Sequence, residues 1–167
     1  MIRTTLVIAA ASLTIFGLSA CSSSTPTPVA APVTVAAPVQ PVNTDAQNIV
    51  NWYATGGKLH VDTLTGDLLA TAEAARQQNS TALVVMCNKL ATDAAAAHNG
   101  IPVPVASVQY NWAQATSWFY QAGQQCMAGA ASQNATLINQ ATQSTGYGAH
   151  YLNQATTEIQ RVSQVTR

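Results

Sequence analysis

Residues 108–129 read VQYNWAQATSWFYQAGQQCMAG, and their spacing decides the fold class. Val108, Trp112, Ala115, Phe119, Ala122, Cys126 and Gly129 follow one another at alternating steps of four and three. A helix turns once every 3.6 residues, so such a series lies along one face, and no strand can gather it on one side. The stretch predicts a long amphipathic helix with an aromatic and small-residue stripe directed into a core.

The flanking sequence repeats the pattern. Leu137, Ala141, Ser144, Gly148, Tyr151, Ala155, Ile159 and Val162 form a stripe that starts after Asn134. Leu83, Cys87, Leu90, Ala94 and Ala97 form another, capped by Asn79 or Ser80 and stopped by Asn99-Gly100 and Pro102. A third places Val61, Leu64, Leu68, Ala72 and Ala75 on one face and ends at Gln77-Gln78-Asn79. A short helix capped by Thr44 or Asp45 carries Ile49, Val50, Trp52 and Tyr53, and Gly56-Gly57 then breaks or bends it. Nothing alternates at period two over a strand's length. The expectation is an all-α domain over residues 45–167, an antiparallel four-helix bundle with a short extra N-terminal helix.

The chain has six basic and six acidic residues in 167. This sparse, balanced charge leaves no electrostatic footprint for nucleic acid or for an anionic membrane surface. Ser, Thr, Asn and Gln must cover the exterior instead.

The beginning of the chain reads as an address. Arg3 precedes an apolar run from Leu6 to Leu18, too short for the roughly 20 residues a spanning helix needs. Leu18-Ser19-Ala20-Cys21 resembles the bacterial lipobox. That resemblance implies a signal peptide over residues 1–20, cleavage after Ala20, diacylglycerol on Cys21 and usually acylation, as by palmitate, of the new amino terminus. Two chains at one residue suit stable anchoring, since one acyl chain holds only marginally. The expected location is extracytoplasmic, on the outer face of the cell membrane or on an outer membrane. Residues 21–44 then form the anchor and a disordered Ser/Thr/Pro/Ala tether holding five of the seven prolines. At about 3.1 Å per residue in polyproline II form it reaches up to about 70 Å, and its Thr-Pro pairs are candidate acceptors of O-linked sugar.

With Cys21 lipidated, Cys87 and Cys126 remain, an even number in a compartment where disulfides persist. A bridge is the default reading; two free buried thiols or a metal pair are the alternatives, the last disfavoured by the lack of any His or Cys at ligand spacing. The bridge constrains helix register. Cys87 lies about 12 residues, or roughly 18 Å, before the end of its helix, and Cys126 about 19 residues, or roughly 28 Å, past the start of the next. The Ile101-Pro102-Val103-Pro104 connection must therefore let the later helix begin beyond the earlier one's end. Cys87-x-x-Leu90-x-x-Asp93, Pro102-x-Pro104, Trp112-x-x-Ala115, Tyr120, Cys126 and Gly129 resemble small exported or lipid-anchored helical proteins of actinobacteria. The resemblance implies the disulfide and the bundle, and no catalytic residues.

Chemistry-bearing motifs are scarce. His60, His98 and His150 form no ligand pair within a helical turn, so no metal and no cofactor is expected. Met86 with His150 is the one combination that a haem could use across a bundle. Asp62 and Asp67 lie on different faces, and Asp93 and Glu158 are isolated, so an acid and base duo would have to assemble across helices. No Gly-x-Ser-x-Gly elbow or phosphate loop occurs. The expectation is a membrane-anchored, non-enzymatic envelope protein with a helical interaction or structural domain. The alternative is a carrier of a small apolar ligand (lipid, glycolipid or haem) between the third and fourth long helices. Tyr110, Trp118, Tyr147, His150 and Tyr151 are candidates to line that groove, or to meet an envelope protein, lipid or glycan.

Overall fold

The computed structural model describes residues 44–164. The lipobox, Cys21 and the tether up to residue 43 lie outside the described residues. Helix α1 covers Thr44–Trp52, a π turn Tyr53–Gly57, α2 Lys58–Arg76, α3 Ser80–His98, α4 Ala106–Ser132 and α5 Ala135–Gln164, with no strand among the described residues. The domain is an all-α bundle of four long helices preceded by one short helix.

Local chemistry sets the boundaries. Asn79 accepts a hydrogen bond from the Ala82 amide through Oδ1 and so caps α3. Asn134 Oδ1 does the same for the Thr136 and Leu137 amides at the start of α5. Gln133, at φ 53°, turns the chain out of α4 in a left-handed conformation. Between α1 and α2 the chain does not break but bends, at Gly56 with φ 147°, a value in the region open to glycine and strained for other residues.

Helix α4 is central. All seven residues of its sequence-predicted stripe are buried, and Thr116 and Gly123 are buried beside them. The wider buried face follows from position, since α4 packs against α3 on one side and α5 on the other. Close approach requires small residues. A Cβ at Gly123 would lie 2.6 Å from the Cys87 carbonyl oxygen, and one at Gly148 would lie 2.6 Å from the Phe119 ring. The α3 and α5 backbones press against α4 at these two points, and the Phe119 ring, fully buried, fills the space above Gly148.

The register expected from the cysteines holds. Helices α4 and α5, at 27 and 30 residues, outrun α2 and α3 at 19 each. The overhanging start of α4 is covered by α1. Trp52 meets Trp112 edge to face at 5.6 Å, and its Nε1 donates to the Ile101 carbonyl oxygen at 2.9 Å. Ile49 of α1 is fully buried, and α1 packs along the end of α5.

Helix α2 departs from expectation. Its sequence stripe was Val61, Leu64, Leu68, Ala72 and Ala75, yet the buried residues are Leu64, Asp67 and Ala74, while Ala72 and Ala75 are exposed. The helix is rotated so that Leu64, Asp67 and Ala74 form its buried face, with Asp67 reaching Lys89 of α3. It contacts α3 and the π turn, and none of its Cα atoms lies within 8 Å of one in α4 or α5. The fourth side of the bundle is therefore open.

Candidate functional site

The open side forms a cleft of about 200 Å³ between α2 and α5. Leu68, Thr71, Ala72 and Ala75 of α2 make one wall, and Ile138, Ala141, Thr142 and Thr145 of α5 the other. Its floor is Leu83 and Leu90 of α3 with Ala122 and Cys126 of α4. No charged side chain lines it. Toward the α2–α3 and α4–α5 turns it continues into a shallower depression of about 400 Å³ rimmed by Gln78, Ser80, Gln133 and Asn139. The apolar face of α2 thus looks into this cleft instead of into a helix.

The floor is fixed covalently. Cys87 and Cys126 form a disulfide between α3 and α4, with Cα atoms 5.7 Å apart, inside the usual span for such a bond. The bridge expected from the cysteine count is present, with Ala141 of α5 packed on it.

Behind α2, on its α3 side, lies a charged cluster with no local sequence signature. The Asp67 side chain is only 6% exposed, and Lys89 Nζ donates to its Oδ1 at 2.7 Å. The same ammonium donates to Asp93 Oδ2 at 2.5 Å. Asp67 Oδ2 and Thr71 Oγ1, one turn apart on α2, are buried with no hydrogen-bond partner. Burial, reinforced by the neighbouring Asp93 carboxylate, raises the Asp67 pKa above the ordinary carboxylate value despite Lys89. Asp93 is held below the ordinary value chiefly by the Lys89 ammonium, with a smaller contribution from His60. An acid pair therefore does assemble across helices, but Lys89 engages both carboxylates. His60 sits at the α3–α4 connection, its Nε2 3.2 Å from where a Gly100 Cβ would be.

The other predicted residues fall on the far side. Trp118 and Tyr147 pair across the α4–α5 seam with ring centres 4.9 Å apart, and Tyr110 meets Tyr151 edge to face at 6.4 Å. His150 contacts the Tyr151 ring and hydrogen-bonds Gln154 at 3.1 Å. The five side chains make two groups of ring contacts, Trp118 with Tyr147 and Tyr151 with Tyr110 and His150; Tyr110 and Tyr147 are more than half exposed, Tyr151 packs against the core, and the two apolar clefts described above are lined by other residues. Met86 and His150 are not brought together: they sit on α3 and α5, which make no close backbone approach. Among the described residues no group of three His, Cys, Asp or Glu converges as a metal site.

A second polar site escaped the sequence reading. His98 Nδ1 lies 3.0 Å from the buried Thr116 Oγ1, whose own hydroxyl donates to the Trp112 carbonyl oxygen. The Thr116 hydroxyl also lies within hydrogen-bond reach of the Ala113 carbonyl oxygen at 3.1 Å, so the imidazole and two backbone carbonyls share its one donor and its acceptor capacity. The pair borders a depression of about 310 Å³ with Asn99, Ser117 and Tyr120. Only tertiary contact joins residues 18 apart in sequence, so no motif could mark them.

No helix among the described residues is long and apolar enough to cross a membrane. Comparison of the chain with protein-family models, with curated proteins and with solved structures gives no match.

Proposed function

We propose that this chain is an exported lipoprotein, anchored through lipid on Cys21, whose helical bundle is a non-catalytic interaction module of the cell envelope. The observation that carries the reading is the pairing of cysteines. The chain has three, and the Cys87–Cys126 disulfide leaves Cys21 as the remaining one, at the end of Leu18-Ser19-Ala20-Cys21. Structural disulfides persist in oxidising compartments, which favours export. The non-catalytic part rests on chemistry already committed: Lys89 engages both carboxylates of the acid pair, and both bundle cysteines are bonded to each other. The surface offered to a partner is the α4–α5 aromatic seam, with Trp118 and Tyr147 at its middle.

Feeding the producing bacterium an alkyne-tagged palmitate tests the anchor. Wild-type protein carries the tag and sediments with membranes, and Cys21→Ala loses both properties; a tagged Cys21→Ala protein, or an untagged soluble wild type, refutes the reading. A photo-crosslinking residue at Tyr147 tests the module. A discrete adduct that a crosslinker at Gln143 does not give supports it, and absence of any adduct counts against it.

The cleft favours a second reading, a carrier of a small apolar ligand. It lies between α2 and α5, not between α4 and α5 where the aromatic residues had directed attention. Native mass spectrometry of protein purified from its host distinguishes the readings: a retained apolar molecule supports the carrier, and a uniformly empty domain excludes it.

A further inference from the structure

We propose that α2 is a lid, turning about Gly56 and seated on α3 over the buried Asp67 side chain, that closes over the cleft by moving toward α5. Four features of the structure point the same way. First, α2 is attached along one side only, to α3, with no close backbone approach to α4 or α5. Second, the face it seats on α3 carries a buried carboxylate, Asp67, whose Oδ2 atom is left without a hydrogen-bond partner. Third, its apolar stripe, Leu68, Ala72 and Ala75, faces a gap whose opposite wall is Ile138 and Ala141. Closure would bury that stripe, which the present seat leaves half-covered or exposed. Fourth, the joint exists: the chain passes from α1 to α2 through a π turn with Gly56 at φ 147°, where no other side chain comes within 4 Å of a Cβ position. The α1 side of that joint is fixed by Trp52 against Trp112 and Ile101, so motion is confined to α2.

The burial of Asp67 sets the direction of control. The charged groups facing Asp67 are Lys89 and Asp93, both on α3, and His60 of α2 acts on Asp93. The π turn contributes no charge to Asp67. Because burial raises the Asp67 pKa, the present seat is favoured when Asp67 is protonated and weakened when it is ionised. Rising pH therefore releases the lid, and acid seats it. The Asn isostere, which is never charged, seats it at every pH.

Spin labels on Leu69→Cys and Gln143→Cys, both exposed, in a Cys21→Ser background with the native disulfide intact, read the distance between α2 and α5. Double electron–electron resonance at pH about 7.5 is expected to give a short-distance population beside the one seen here. That population shrinks at pH about 5, near the carboxylate range, and is lost in Asp67→Asn at both pH values. A single long distance under all conditions overturns the lid. A short population indifferent to both pH and Asp67→Asn overturns the control by Asp67. Circular dichroism of each labelled protein confirms that the bundle is intact.

Discussion

Replacing Cys87 and Cys126 together by alanine should lower the stability of the bundle by about 4 kcal/mol. The bond closes a loop of 39 residues. On the chain-entropy relation, a loop of that length restricts the unfolded chain by about 13 cal/mol/K, or about 4 kcal/mol at 25 °C. Packing loss adds little, because each alanine keeps its Cβ and the removed sulfurs sit beside Ala141 and partly buried Leu83 and Met127. For a domain of this size the change corresponds to a fall in Tm of about 10–20 °C. Urea unfolding of the variant against the oxidised wild type measures it directly, with reduced wild type as a second reference. The m-value should rise as well, because the uncrosslinked denatured chain exposes more surface. A variant within about 1 kcal/mol of wild type would show that the bond does not restrict the unfolded chain as this relation requires, since no compensating contact is available at a fully buried Cys87.

Glycines separate packing from propensity. Gly66→Ala and Gly146→Ala, where an added Cβ meets nothing within 4 Å, should each stabilise by about 0.5–1 kcal/mol, whereas Gly123→Ala, which drives a Cβ against the α3 backbone, should destabilise by about 1–3 kcal/mol in the same melts. Asp67→Asn should raise stability at pH 7 by about 1 kcal/mol. The sign follows from linkage: an acid whose pKa is raised by folding adds stability below its ordinary pKa, and that contribution is lost as pH rises through the raised value. The gain should therefore vanish in thermal melts taken below the ordinary carboxylate range. Asp93 is lowered instead, so Asp93→Asn should cost stability at pH 7, with the cost disappearing as acid protonates the wild-type residue.

The helices that could be read from sequence are those whose buried face is decided by their own side chains. In α4 a regular stripe of large and small apolar groups has one favourable orientation, and all seven of its residues are buried. The same holds for the caps at Asn79 and Asn134, which act within three residues. Helix α2 departs from its stripe because the stripe is weak: two of its five members are alanines, and an aspartate on the adjoining face is tolerated once Lys89 of α3 reaches it. That partner lies 22 residues away, and no local pattern reveals it. The same reason hid the Asp67, Lys89 and Asp93 cluster and the His98–Thr116 contact. Tyr110, Trp118 and Tyr147 were legible as residues off their core stripes; that their neighbours would be other rings, and that the cleft would open elsewhere, depended on the rotation of α2.

The division of the three cysteines between a lipid anchor and a disulfide is read in one measurement, the intact mass of the chain purified from its own host. The expected species is a polypeptide beginning at Cys21, heavier by diacylglycerol and an acyl group, and lighter by the two hydrogens lost in the Cys87–Cys126 bond. An unlipidated chain, or one retaining residues 1–20 with both bundle cysteines reduced, would contradict it.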